Sequence, residues 1–302
     1  MNKLQSALVL CFRAYLVQYY KSEEDRETIE QMSLEELCYQ ICIVDSRYIF
    51  TAPRQVHYAR KFTRSSAYRN HRTGIERLKN KIEMGEDISS HLSEKLPMLN
   101  VKARTSKSLN EVSDLLLETY GIYHLHIGSG RKNRGAGLVF ACFGEGVAVF
   151  LDVRSKHDFS PEKLVKILTH EFSETGLMHR VNGVVGLSRA ITSPQRKRLM
   201  MGGVNVPIEH KGAVYASTRG LSSAGYGINS VRRSDDVLRT WRALTSFEEL
   251  SEHFGLGAVL SGGLTVHYVP PHFGIHDVNS GAMRWMPHEF CHTSPISAGS
   301  NG

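Results

Sequence analysis

Long apolar runs are missing from this chain. No window reaches the roughly 18–20 successive apolar residues that a membrane-spanning helix needs, so no membrane partner is expected. The uncharged stretch from Leu4 to Phe12 that follows Lys3 imitates a signal peptide. Arg13 interrupts it, however, and no small-residue cleavage site follows. Cysteine pairing is missing too: Cys11, Cys38, Cys42, Cys142 and Cys291 are odd in number, with no CxxC and no framework-like spacing. Reduced thiols in a cytoplasm are the simplest reading. Cys38 and Cys42 stack on one face of a helix, where small buried apolar side chains are favoured over a metal or redox pair. Glycines recur at 183, 186, 202–203, 220, 225, 227 and 262–263, yet neither a P-loop nor a complete GxGxxG between strand and helix occurs. ATP and dinucleotide binding therefore lack support, and no cofactor is expected.

What is present describes a folded protein. The 302 residues, 41% hydrophobic and 22% charged, suffice for one large domain or two smaller ones. A formal charge of +7 favours polyanionic partners, nucleic acid first and RNA before DNA. The charge is unevenly spread. Between Glu23 and Glu36 stand seven acids and one Arg, whereas Arg54 to Lys81 holds nine Lys/Arg and only Glu76. Tyr58, Phe62 and Tyr68 are interleaved with Arg60, Lys61, Arg64 and Arg69 in that run. Cations that neutralise phosphates, with rings between them to stack on bases, are the composition of a nucleic-acid surface. A solvated helix face, or a helix paired with the acidic segment before it, has the same composition.

Periodicity divides the chain into three regions. Leu4, Leu8, Cys11 and Tyr15 predict an amphipathic helix over 4–20, and Ser33-Leu34-Glu35-Glu36 is a capping box ahead of a second helix. Residues 84–100 form a seam. A further capping box at Ser108-Leu109-Asn110-Glu111 opens a helix that stops at Gly121. Three strands follow, over 122–127, 137–143 and 147–153, joined by short Gly-rich connections as an antiparallel meander. Pro161 then opens a helix that stops at Gly176. Beyond 181 the pattern weakens to turns, with a hairpin over 206–217 around Lys211-Gly212, short helices near 236–244 and 247–254, and a strand within 256–269. The fold class is α+β. A helical, basic-aromatic region (1–100) precedes a central αβββα unit (101–180), and a mixed region of short strands and helices (181–302) ends the chain.

The meander places chemistry at one end. Its first loop and the exit of its third strand share a rim, which gathers His126, Arg131, Lys132, Arg134, Arg154, Lys156 and His157. His124 and His126 leave the same sheet face roughly 6–7 Å apart, with Tyr123, Leu125 and Ile127 on the core face. RNA cleavage without a metal needs a base for the 2′-OH, an acid for the leaving oxygen, and cations for the charge that accumulates on phosphorus. Imidazole can serve either proton-transfer role near neutral pH. His124, His126 and His157 are the candidate catalytic residues, with Arg134 and Lys156 on the phosphate. Two rival readings are a histidine pair that only hydrogen-bonds on a half-buried face, and a metal held by the HxH pair.

The IYHLHI strand, the basic loop, GLVFACFG, GVAVFLDV and the closing Arg154-Ser155-Lys156-His157 resemble the α-then-antiparallel-sheet core of RelE-type toxins, of the barnase-like ribonuclease superfamily. The resemblance covers residues 105–175. It implies mRNA cleavage, free or on the ribosome, neutralised by an antitoxin.

Two other patterns compete. His288-Glu289-Phe290-Cys291-His292 spells HExxH, but Pro287 and Pro295 leave barely two helical turns, and no third ligand follows. His267, His272, His276, His288 and His292 crowd the C-terminal region, either as surface imidazoles or around a divalent ion. The alternative to an enzyme is a nucleic-acid-binding protein of a mobile element, anchored by the Arg54–Lys81 run. A third reading makes the basic charge incidental to a structural role.

Overall fold

The fold is that of a computed structural model, which describes residues 3–93, 99, 114–128, 137–144, 146–155, 161–173, 176–202, 204–221, 227–243, 264–269, 272–277 and 283–285. In chain order the elements begin with helices α1 (Lys3–Leu16), α2 (Glu23–Gln31) and α3 (Leu34–Asp45), strand β1 (Gln55–Tyr58) and helix α4 (Ser66–Met84). Next come helix α5 (Leu115–Tyr120), strands β2 (Tyr123–His126), β3 (Leu138–Phe143) and β4 (Val147–Arg154), and helix α6 (Pro161–Glu171). Strand β5 (Met178–Arg180), helix α7 (Ser193–Met201) and strands β6 (Ile208–His210) and β7 (Ala213–Ser217) follow. Helix α8 (Ile228–Ala243) and strands β8 (Leu264–Val269), β9 (His272–Asp277) and β10 (Met283–Trp285) complete the described elements. The fold is α+β, and among the described residues no helix is long and apolar enough to cross a membrane.

The chain divides into two compact units that do not follow the boundaries expected from the sequence. One joins the described residues of 1–46 to those of 229–294; the other joins those of 47–95 to those of 107–228. In the first unit α1 buries Leu8, Phe12, Tyr15 and Leu16, the apolar stripe its spacing predicts. Ser22 caps α2, whose first turn carries Glu23, Glu24 and Asp25 against the positive end of the helix dipole. The capping box of α3 forms as read: the Ser33 hydroxyl accepts the Glu36 amide, and the Glu36 carboxylate accepts the Ser33 amide. Cys38 and Cys42 are buried free thiols on α3. Burial lifts the thiol of Cys11, and that of Cys42 is raised by its bond to Cys38 and by burial. Strands β8, β9 and β10 form an antiparallel sheet.

The second unit is built on a four-stranded sheet in the order β1-β4-β3-β2. The expected meander of β2, β3 and β4 is present, with His124 opposite Phe140 and His126 opposite Leu138. Strand β1 adds to β4 in parallel, Val56 beside Ala148 and Tyr58 beside Phe150. The basic run is thus no part of a separate helical region: its strand and helix belong to the central sheet. Both faces of that sheet are covered. Ile75, Leu78 and Ile82 of α4 pack with Leu125, Val139, Phe150 and Val153 on one face. Leu164, Val165 and Leu168 of α6 pack with Phe140, Cys142, Val149 and Leu151 on the other. This two-sided burial explains why β3 and β4 read as continuous apolar runs and not as alternating strands.

The small sheet β5-β7-β6 contains the hairpin expected around Lys211-Gly212, with β6 and β7 antiparallel. Helix α7, in the region read as turns, and strand β5, just before it, have no counterpart in the sequence pattern. The helix expected near 236–244 is longer and starts at Ile228, while residues 247–254 lie outside the described residues.

Candidate active site

Helix α5 is six residues long, too short to persist on helix propensity alone, and burial of Leu116, Leu117 and Tyr120 and its two caps hold it. Its N-cap is Asp114 and not Ser108, which lies outside the described residues with the rest of that capping box. Asp114 Oδ1 accepts the Leu117 amide at 3.2 Å. At the other end Gly121 takes φ 69°, a left-handed conformation open to glycine, and returns its amide to the Leu116 and Leu117 carbonyls. That reversal delivers the chain into β2. As a result His124 Nδ1 lies 3.0 Å from Asp114 Oδ2, with both side chains mostly shielded from solvent.

Burial works against the ionised form of Asp114. The bond and charge of His124, the charge of Arg47 and the Leu117 amide outweigh it, and the carboxyl stays below its usual range. An ionised carboxylate only accepts, so Nδ1 of His124 carries the hydrogen and Nε2 holds the lone pair in the neutral ring. The ring of His126 stands 6.1 Å from that of His124, centroid to centroid, close to the separation expected for alternate residues of one strand. Tyr123 and Leu125 take the opposite, buried face.

The rim at the end of β2 and β4 is built from more elements than the sequence suggests. His126, Leu138 and Arg154 stand in one row across β2, β3 and β4. His91, buried in a single 3-10 turn at Ser89–His91, donates from Nδ1 to the His126 carbonyl at 2.7 Å. His71 of α4 brings Nε2 to 3.4 Å from Ser155 Oγ. Sequence reasoning missed Asp114, His71 and His91. Asp114 was detectable as a preferred N-cap residue standing directly before the Leu115-Leu116-Leu117 run. The two histidines meet the rim only through tertiary packing and carried no sequence signal.

Several expected site residues have other roles. Arg154 turns its Nε onto Asp152 Oδ2 at 2.9 Å, and Lys163 reaches the same oxygen at 3.0 Å, so Arg154 takes part in an ion pair within the fold. Phe62, 1% exposed, and Tyr68 are core residues. Tyr58 stacks on Phe62 at 5.0 Å, Tyr68 and Phe150 close the cluster, and both tyrosine hydroxyls donate to Glu76 Oε1. Extracting Phe62 would forfeit about 1.5–3 kcal/mol of burial. Stacking on a base returns about 1–3 kcal/mol, no net gain, so the buried Phe62 and Tyr68 are packing residues, while Tyr58 is half-buried.

The cations between the rings behave as expected of a polar surface. Turns at 59–65 put Phe62 inward and leave Arg60, Lys61 and Arg64 exposed, as is Arg69 on α4. Among the described residues none of these four side chains forms an ion pair, and the acids of 23–36 that do so pair with Arg13 and Arg242. Arg131, Lys132, Arg134, Lys156 and His157 lie outside the described residues, as does the HExxH pentapeptide. Comparison with protein-family models, with curated proteins and with solved structures finds no match.

Proposed function

We propose that the second unit is an RNA-cleaving endonuclease in which His124, oriented by Asp114, transfers protons at the scissile phosphodiester. The observation that carries this reading is the 3.0 Å contact between Asp114 Oδ2 and His124 Nδ1. A buried carboxylate that fixes one ring nitrogen as a donor leaves the other as a base, the arrangement by which hydrolytic enzymes prepare a histidine for proton abstraction. His124 Nε2 would take the 2′-OH proton. The 2′ oxygen then attacks phosphorus, the 5′ oxygen leaves, and an imidazolium returns a proton to it. His126 is the nearest candidate for that acid. Hydrogen-bond reach is about 2.6–3.2 Å from each ring, so centroids 6.1 Å apart can bracket one reacting centre. Arg131, Lys132, Arg134 and Lys156, which lie outside the described residues, are proposed to hold the flanking phosphates, and His157 to be a further proton-transfer group. An antitoxin or a ribosome as partner follows from the resemblance to RelE-type toxins.

The test is incubation of the full chain with labelled RNA and DNA in the presence of a chelator. RNA products ending in a 2′,3′-cyclic phosphate, with DNA uncut, support the mechanism. Loss of all cutting on chelation overturns it. In cells, His126→Ala combined with His157→Ala is expected to abolish growth inhibition without loss of soluble protein.

A second reading is favoured by the exposed Arg60, Lys61, Arg64 and Arg69, which form no ion pair among the described residues: a non-enzymatic protein that binds nucleic acid through this surface. It predicts salt-sensitive binding with no cutting at all.

A further inference from the structure

Lys211 is the only non-glycine residue with a left-handed backbone among the described residues, at φ 50°. It opens the two-residue turn of the β6–β7 hairpin, with Gly212 at φ 71° completing it. Such turns favour Asn or Gly at this position, because the left-handed conformation crowds a longer L side chain. A residue held at a strained position invites a search for what its side chain does there.

The Lys211 ammonium reaches the end of α6, 3.1 Å from Nε2 and 3.3 Å from Nδ1 of His170. His210, the last residue of β6, brings its ring to 5.6 Å from that of His170. Its Nε2 is buried and makes no hydrogen bond among the described residues. Among the described residues none of the three basic groups forms an ion pair with a carboxylate. Nearby acids are engaged elsewhere: Glu171 accepts the Arg60 amide at 2.7 Å, and Glu209 accepts the Leu187 amide at 3.0 Å. Glu162 is bound to Lys166 and Ser193. Burial, followed by the charges of Lys211, His170 and Lys166, holds His210 below its usual pKa. The cluster therefore sets one ammonium, that of Lys211, beside two imidazoles, and the neutral His210 ring still carries one N–H donor. A metal does not fit it, since an ammonium already occupies the approach to the His170 nitrogens. An oxyanion does, because the Lys211 ammonium has three N–H groups and keeps donors beyond the contact with His170, and each imidazole carries an N–H of its own.

We propose that Lys211, His170 and His210 form a phosphate-binding site, which accepts the phosphoryl oxygens of a nucleic-acid backbone or of a free phosphate. The inference goes beyond the cleavage reading and stands whether or not His124 cuts RNA. The test is to follow the imidazole carbon-bound proton resonances of His170 and His210 by NMR in the full chain, adding inorganic phosphate in one arm and a short single-stranded RNA in the other. Saturable shifts that need less RNA than phosphate assign the site to the backbone; shifts with inorganic phosphate alone assign it to the free anion. Lys211→Asn suits the left-handed turn, so the variant is expected to melt at the same or a higher temperature while binding at least tenfold more weakly. Resonances that move with neither probe, or that titrate equally in Lys211→Asn, would overturn the proposal.

Discussion

The carboxylate of Asp114 divides its two oxygens between a helix and a histidine: Oδ1 accepts the Leu117 amide at 3.2 Å, and Oδ2 lies 3.0 Å from His124 Nδ1. One side chain thus starts α5 and sets the tautomer of a ring on the next strand. An amide in its place would keep the cap, since Asn caps as well as Asp. With Oδ1 held by Leu117, its NH2 would face Nδ1 and force that nitrogen to accept. The proton would then sit on Nε2. The fold and the proposed chemistry are separable at this residue by one atom.

Close packing of α4 on the sheet predicts a reversal of the usual glycine rule. Gly74 lies inside α4, where Ala in place of Gly ordinarily gains about 1 kcal/mol. A Cβ at Gly74 would overlap the Ile127 Cγ2 methyl just past β2. Overpacking of this kind costs about 1–3 kcal/mol, so Gly74→Ala is expected to destabilise the protein in chemical denaturation. Adding Ile127→Ala should return part of the loss. A Gly74→Ala variant more stable than wild type would contradict the packing.

The first unit carries a pH-dependent element in the buried carboxyl of Asp45, bonded by Tyr15 Oη at 2.9 Å and by Arg233 at 3.3 Å. Burial pushes its pKa up to about 6 against the partial relief of Arg233 and Tyr15, from an ordinary value of 3.8. The folded state therefore holds this proton more tightly than the unfolded chain. Its contribution to stability is full below 3.8 and is lost as pH rises through about 6. Unfolding free energy is expected to fall in that window by up to about 1.4 kcal/mol per pH unit. Asp45→Asn should flatten this slope while lowering stability overall, because Arg233 loses its charge partner. An unchanged slope would remove Asp45 as its source.

The exposed cations supply a quantitative test of binding. If Arg60, Lys61, Arg64 and Arg69 each neutralise one phosphate of single-stranded RNA, replacing all four by Gln should reduce the slope of log affinity against log salt by about 3. Fluorescence anisotropy across a salt series measures it. An unaltered slope would place the nucleic acid on another surface.

Much of the architecture was legible in the sequence because it is written in local patterns. The Ser33 capping box, the β2–β4 meander, the Pro161 start of α6 and the Lys211-Gly212 hairpin each depend on neighbours within a few residues. Strand β1 escaped because four residues pairing in parallel with a strand some ninety positions later leave no local trace. The aromatic residues of the basic run misled for a related reason: composition shows that Phe62 and Tyr68 alternate with cations but not which way the chain turns between them. The site was legible by half. Alternation placed His124 and His126 on one face, whereas the partner that orients His124 is a helix cap ten residues earlier, and the contacts of His71 and His91 with the rim are long-range.

The most direct test of the central claim is single-turnover cleavage of an RNA oligonucleotide by wild type, His124→Ala and Asp114→Asn, in chelator, with each variant's melting temperature recorded alongside. Positioned acid–base groups contribute on the order of 10²–10⁴-fold. Both variants are therefore expected to lose that much rate, and Asp114→Asn should do so while melting within a few degrees of wild type. Cleavage at the wild-type rate by a folded Asp114→Asn protein would contradict the account.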